Sequence, residues 1–384
     1  MRSIRTGRRR LPADEMLARV RPLAAGAGVT RLADLTGLDR IGLPVFQAVR
    51  PMSRSLAVSM GKGAGPQVAR LTALVETIEL HRAEQLAHDG PVRPADAREA
   101  TTWSRVPPAY GQRERFDPAR PRGWLRGTDL IGGGPIHVPF DAVTMDLARN
   151  AAPDIWRSSN GLASGSDRGE ALVAALLELL EREAQARWLA LSPGGRRATR
   201  LALATIDNRR LRAMLARVAR AGLRLLAWDM SGTTGVPAYY CALIETGAGA
   251  AVVLPPGIGS ACDPDPVAAL AAAMGEAAQA RIMFIAGARD DLSAEDYRDP
   301  AAQRLVVARE MLAFEPDGEW RWRDAGYGGW RDNAALRDWL VGRCEAAGAS
   351  EIACIDIAGA ETGLATVKLL APGFGDDSRP SAFQ

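Results

Sequence analysis

Glu76 and Glu79 stand three apart in the apolar run Thr72-Ala-Leu-Val-Glu-Thr-Ile-Glu79, and Glu178 and Glu181 repeat the spacing in Glu178-Leu-Leu-Glu-Arg182. On a helix such a pair shares one face, so each run projects two carboxylates side by side. Like charges that close are unfavourable unless a cation lies between them. Four such groups suit a hard cation, and Mg2+ carrying a nucleotide is the usual case. Glutamate is also ordinary on a solvated helix face, so either pair alone carries little weight.

The cations of the chain sharpen the point. Only Lys62 and Lys368 are lysine, and every other basic side chain is arginine. Lys62 lies between Gly61 and Gly63, immediately before the first acidic run. Lysine is a compact point charge suited to a phosphate, whereas arginine is a planar fork. Ser158-Ser-Asn-Gly-Leu-Ala-Ser-Gly165 precedes the second acidic run. A loop of this kind can offer backbone N–H groups to phosphate oxygens at a helix start, though Ser, Asn and Gly are equally ordinary turn and cap residues. Glu276 and Gln279 give a third pair three apart, followed by Arg281. Arg281 falls about 200° around the helix from Gln279, so the two share a ligand only near a twist or a helix end.

Helices must position these groups. The pattern predicts one from about 65 to 85, on which Thr72, Glu76 and Glu79 occupy roughly a 60° sector beside the apolar stripe. A second runs from about 168 to 189, with Glu170, Glu178 and Glu181 inside about an 80° sector. A third, Ala-rich, runs from about 266 to 287, behind a cap at Ser260–Asp265, and Ala288–Asp291 ends it. An N-terminal helix opens at Pro12, and further helices are expected after Leu201, over 301–314 and over 331–347. Strands are expected at 42–49, 56–59, 135–139, 225–230, 236–244, 251–254, 351–357 and 364–370. From 86 to 127 periodicity is lost among prolines and arginines, which reads as a loop or lid with Trp103 and Trp124 to dock it.

The chain reads as mixed α/β in interleaved lobes, and an internal duplication is suggested by strand, glycine loop and acidic helix near 56–80 and near 155–182. A net charge of +3 over 384 residues gives no case for nucleic acid or a membrane surface. Cys241, Cys262, Cys344 and Cys354 form no C-x-x-C pair, so neither a metal knot nor a disulfide framework is expected. The basic start has no apolar run behind it, no apolar stretch reads as membrane-spanning, and a reducing cytoplasm is the default.

In their order and spacing these blocks resemble the YcaO-domain family. The resemblance rests on Leu38-Asp-Arg-Ile-Gly-Leu-Pro44, Ser59-Met-Gly-Lys-Gly63, Ala69–Glu79, Ser159–Gly165, Glu178–Arg182 and Glu276-Ala-Ala-Gln-Ala-Arg281. It implies a YcaO-like fold over 37–384, with 1–36 a helical extension. It implies ATP and Mg2+ as cofactors, with Glu76, Glu79, Glu178 and Glu181 as metal ligands. Lys62, Thr72, Asn160, Ser164, Glu170, Arg182, Gln279 and Arg281 would contact nucleotide or order the site, and Lys62 and Arg182 would act in the chemistry. There are departures. Thr72 stands where the family usually has Ser, Glu183 replaces a common Asp, and Leu80 stands where a basic residue is usual.

The resemblance further implies ATP-dependent phosphorylation of a peptide backbone amide oxygen, with the glutamates as metal ligands instead of general bases. His81, His88 and His137 form no triad, and His81 is a candidate proton shuttle. The ending Val367–Gly373 and the Asp39-Arg-Ile-Gly start look like the members that work with a TfuA-type partner in thioamide formation on a peptide or protein substrate. The chain also lacks the proline-rich tail common among azoline-forming members. Azoline cyclodehydration and a non-catalytic ATP-binding scaffold are the alternatives, and a homodimer is left open.

Overall fold

The computed structural model describes residues 11–88, 90–106, 116–148, 154–155, 157–232, 234–245, 254–287, 322 and 328–375. The expected helix over 301–314, the Ala288–Asp291 ending and most of the expected strand 251–254 lie outside these residues. Three antiparallel sheets carry the architecture. The first is β1 (Arg31–Asp34), β2 (Val45–Val49) and β3 (Val58–Lys62), in that order. The third is β7 (Leu223–Asp229), β8 (Ala238–Glu245) and β9 (Gly257–Cys262), also in that order. Between them in sequence lie β4 (Trp124–Asp129), β5 (Pro135–Pro139) and β6 (Leu162–Gly165). The late hairpin β10 (Ala353–Ala358) and β11 (Ala365–Leu370) inserts between β4 and β6, giving the order β5-β4-β10-β11-β6.

Nine helices are described: α1 (Ala13–Gly26), α2 (Pro66–Glu84), α3 (Ala97–Trp103), α4 (Phe140–Val143), α5 (Arg168–Leu189), α6 (Pro193–Ala198), α7 (Arg209–Arg220), α8 (Pro266–Ala286) and α9 (Asn333–Ala346). Three of them follow a sheet's last strand within a few residues: α2 after β3, α5 after β6 and α8 after β9. Their starts are chemically similar. Proline opens α2 and α8 at the position where its missing N–H costs nothing, and Asp167 and Asp265 cap α5 and α8.

Glycine lets each strand lie against its own helix. A Cβ at Gly61 would overlap Ala69 O and Ala73 N of α2, and one at Gly259 would overlap Ala273 O and Ala277 N of α8. At Gly165 it would fall 2.6 Å from Ala171 N of α5. The other face of each sheet packs on a different helix. Met60 of β3 clusters with Ile282 of α8, and Leu162 of β6 clusters with Leu80 and Ala83 of α2. Tyr240 of β8, beside β9, stacks on Trp188 of α5. Each sheet is therefore a wedge between its own helix and one other, and the three wedges close a ring. The strand–glycine–helix unit expected twice from the sequence occurs three times among the described residues.

Three expectations need correction. The first 36 residues are no mere extension: β1 pairs with β2 in the sheet that carries Lys62, and α1 buries Met16, Leu17, Val20 and Ala24 in a shared core with α2. The helical spacing of those four residues is what directs them inward. The described parts of 86–127, expected as a loop or lid, are docked structure. Asp96 and Glu99 form a capping box on α3, Trp103 is 1% exposed, and its Nε1 donates to His137 O at 2.9 Å. Large aromatic surface offsets the weak periodicity there. Third, one helix, α8, is long and apolar enough to cross a membrane. It instead buries Leu270, Met274 and Ile282 in the protein core. All four cysteines are free and buried, as expected of small core residues.

Candidate functional site

The glutamates sit at matched positions. Glu76 and Glu79 follow Pro66 of α2 by the same intervals at which Glu178 and Glu181 follow Arg168 of α5, and Glu276 and Gln279 follow Pro266 of α8. Because the three helices ring a common centre, the three pairs face one another. The first glutamates of two units are held by their own strands: Met60 N donates to Glu76 Oε2 at 3.2 Å and Gly161 N to Glu178 Oε2 at 2.9 Å.

Each unit is also held by a strand from another. The Ser164 hydroxyl and N–H, on β6, bond to Glu79 of α2. Ser260 Oγ, on β9, donates to Glu181 Oε1 of α5 at 2.6 Å. Lys62 Nζ, at the end of β3, donates to Glu276 Oε2 of α8 at 2.8 Å. The ring closes through these three contacts. It brings together Lys62, Glu76, Glu79, Glu178 and Glu181 from the expected set, and it adds Glu276 and Ser260, which were not in that set.

The electrostatics follow from this crowding. Burial pushes the Glu76 carboxyl up to about 7, with Lys62 and the Met60 N–H opposing it and Glu276 and Glu178 reinforcing it. Burial, then the Glu76 and Glu178 charges, push Glu79 well above the usual carboxylate range. Glu178 and Glu181 are raised by burial against the opposing Arg182 guanidinium, whose Nη2 lies 3.4 Å from Glu181 Oε1. Buried carboxylates crowded in this way are relieved by a positive charge placed between them.

The donor set fits Mg2+. It is all oxygen, and most of its members are already oriented by N–H or hydroxyl donors. Among the described residues no three carboxylates converge tightly enough to enclose a bare ion. Magnesium takes one or two carboxylates and completes its shell with water and phosphate oxygens.

Other expected residues do different work. Thr72 Oγ1 faces the backbone, within reach of Lys62 O at 2.9 Å and of Val68 O and Ala69 O at 3.1 Å, so it fastens the end of β3 to α2. Glu170 Oε2 accepts from Ser166 N and Oγ and closes the turn between β6 and α5. Asn160 offers its carbonyl to Lys368 Nζ at 2.7 Å. Gln279 lies one turn beyond Glu276 on α8.

Arg281 is a residue whose own contacts lie elsewhere. Its guanidinium is buried, with Nε 3.1 Å from Asp39 Oδ2 and Nη2 2.7 Å from Glu245 Oε1. The helical angle separating it from Gln279 turns it to the far side of α8, where it ties the Leu38–Pro44 segment to that helix. His81 is another. It points into a separate open cavity of about 490 Å³ between α1 and α2, alongside Arg82 and Leu23, which the glutamates do not line. Burial and the Arg50 charge lower its pKa. Leu80 faces the core at 6% exposure, and Arg82 stands close enough to Glu79 to feel its charge.

Comparison with known proteins agrees with this geometry. A family model described as YcaO cyclodehydratase, ATP- and Mg2+-binding, matches residues 60–375. An uncharacterized protein in the tfuA 3′ region of Rhizobium leguminosarum bv. trifolii is 33% identical over 332 residues, covering 79% of this chain and 75% of that one. Among solved structures, YcaO from Methanopyrus kandleri bound with AMPPCP and Mg2+ superposes with a TM-score of 0.74 at 22% identity, covering 99% of this chain and 96% of that one. A heterocyclase in complex with substrate and cofactor gives a TM-score of 0.75 at 18% identity. That match covers 96% of this chain but only 53% of the heterocyclase.

Proposed function

The chain belongs to the YcaO family, whose cofactors are ATP and Mg2+, and from that premise we propose that it phosphorylates a peptide backbone amide oxygen and forms a thioamide. The observation that carries the reading is the ring of matched glutamate pairs, cross-held by Ser164, Ser260 and Lys62. Mg·ATP supplies a phosphoryl group that turns a poor leaving oxygen into phosphate.

The protein's own groups do the rest. Glu76, Glu79, Glu178 and Glu181 would hold the metal. Lys62, released from Glu276, would reach a phosphate as a point charge. Arg182, already beside Glu181, would neutralise charge that develops as the phosphoryl group transfers. Asn160 and Ser164 border the loop that would face the nucleotide, and Gln279 with Glu276 offers an amide and a carboxylate on the third side. Thr72, Glu170 and Arg281 serve by fixing backbone around these groups.

The relative in the tfuA 3′ region favours an external sulfur nucleophile and a TfuA-type partner. The family's cyclodehydratase description favours the second reading, in which a Cys, Ser or Thr side chain of the substrate closes an azoline ring. Mass spectrometry after incubation with ATP, sulfide, partner and candidate peptide separates them. Sulfur replacing oxygen in the product supports thioamidation, and loss of one water supports the ring. A non-catalytic scaffold predicts nucleotide binding with no phosphate release under the same conditions.

A further inference from the structure

The second of the two lysines is also at the ring, and no role has been given to it so far. Lys368 lies on β11, is 1% exposed, and donates from Nζ to the carbonyl oxygens of Ser158 and Asn160. Its charge lies close enough to bear on Glu178. Two residues earlier on the same face of the strand, Thr366 is fully buried, and its hydroxyl is 2.8 Å from Ser164 Oγ. Arg82 Nη1 bonds the same hydroxyl at 2.7 Å.

The segment between these two points, Ser158–Ser164, is held along its length. Leu369 N donates to Gly161 O at 2.8 Å, and β6 pairs with β11 with Leu162 opposite Lys368 and Ser164 opposite Thr366. Gly161 has φ +75°, and a Cβ there would overlap Leu369 O. Each end of the segment bears on one glutamate: Gly161 N on Glu178, and Ser164 on Glu79.

The other two sheets show what is special here. Lys368 stands opposite Leu162, two residues before Ser164; at the matching places, opposite Val58 in the first sheet and Ile258 in the third, stand Val49 and Ala242. Val49 is half-buried and Ala242 is buried, and neither is a cation. Burying an ammonium is costly unless it is bonded and paired, and a methionine would fill the same slot with no such cost. A cation at this place alone therefore calls for a reason beyond packing.

We infer that Lys368 and Thr366 make β11 a two-point clamp that positions the Ser158–Ser164 segment, and through it Glu178 and Glu79, for Mg-nucleotide. They are positioning residues and touch no reacting atom. The inference rests on the nucleotide reading above for its purpose, but the clamp itself is testable without nucleotide.

The test uses Lys368→Met, Lys368→Arg and Thr366→Val in the full chain. Hydrogen exchange of the nucleotide-free protein is expected to quicken at least tenfold over 158–165 in Lys368→Met, with α8 unchanged. Binding of AMPPCP with Mg2+, followed by calorimetry, is expected to weaken at least tenfold in Lys368→Met and about threefold in Thr366→Val. Lys368→Arg, which keeps charge and donors, is expected to stay within threefold of wild type. Should Lys368→Met fail to fold, Thr366→Val alone still reads the other point of the clamp. Unchanged exchange over 158–165 in the folded variants overturns the clamp, as does exchange that rises equally everywhere. If wild type does not bind AMPPCP with Mg2+, the nucleotide reading fails, while the exchange experiment still decides the clamp.

Discussion

The first two strand–helix units end in glutamate pairs, whereas the third ends in Glu276 and Gln279 at the matching places on α8. Glu276 is moreover already neutralised by Lys62, while Glu76, Glu79, Glu178 and Glu181 are left with carboxyls raised by burial and by one another. One architecture used three times thus yields two acidic walls and one mixed wall. Negative charge is concentrated between α2 and α5, where Lys62, Arg182 and Lys368 offset it only in part and a cation would lower it most. The third wall keeps a carboxylate, which only accepts, and an amide, which both accepts and donates.

The largest effects should come from breaking an acidic wall. Glu178→Gln or Glu79→Gln should lower magnesium-dependent ATP turnover by at least about a hundredfold, judged from what weaker outer-shell losses cost. A phosphate-release assay with folding verified by circular dichroism checks this. Changing the third wall to match the other two should do less. Gln279→Glu should weaken nucleotide binding by about tenfold, the price of one added charge beside phosphates. Calorimetry reads that directly, and tighter binding would make the third wall a metal wall too.

Packing tests the repeated geometry instead of its chemistry. Gly61→Ala and Gly259→Ala each push a Cβ into helix backbone, and each should cost about 1–3 kcal/mol in denaturant unfolding. Similar losses support equivalent wedges, and a neutral Gly259→Ala would set the third unit apart.

A further effect is that of pH. Without metal the folded chain keeps a proton on Glu76 up to about 7, whereas the unfolded chain releases it near the ordinary glutamate value of 4.5. The folded state therefore binds more protons in this window, so metal-free stability should fall as pH rises from about 5 to about 8. Metal ligation needs the carboxylates deprotonated, so stabilisation by Mg-nucleotide should grow over the same range. Melting curves at several pH values, with and without Mg·AMPPCP, check both signs.

The sequence made the acidic helices legible because their signals are local. Proline or aspartate at the start, apolar spacing and paired glutamates placed α2, α5 and α8 to within a residue or two of their observed ends. The family resemblance rested on the same blocks and held. What was hidden is long-range or glycine-rich. Strand β9 was read as a cap, because Gly257 and Gly259 suppress the usual strand signature while serving to let α8 approach. Ser260, Thr366 and Lys368 reach the ring from strands distant in sequence, and no spacing rule links them to the glutamates. The third wall was half visible, since Glu276 and Gln279 were noticed as a pair, but only the ring shows that Lys62 answers Glu276. The contacts of Arg281 were not legible, because its partners, Asp39 and Glu245, lie in other segments.

The central claim is that the walls of α2 and α5 form the Mg-nucleotide site. Calorimetric titration of AMPPCP into the full chain, with and without Mg2+, for wild type and Glu178→Gln, tests it most directly. The account predicts saturable binding to wild type that requires Mg2+ and is lost in Glu178→Gln. Binding that ignores Mg2+, or that survives Glu178→Gln unchanged, would contradict it.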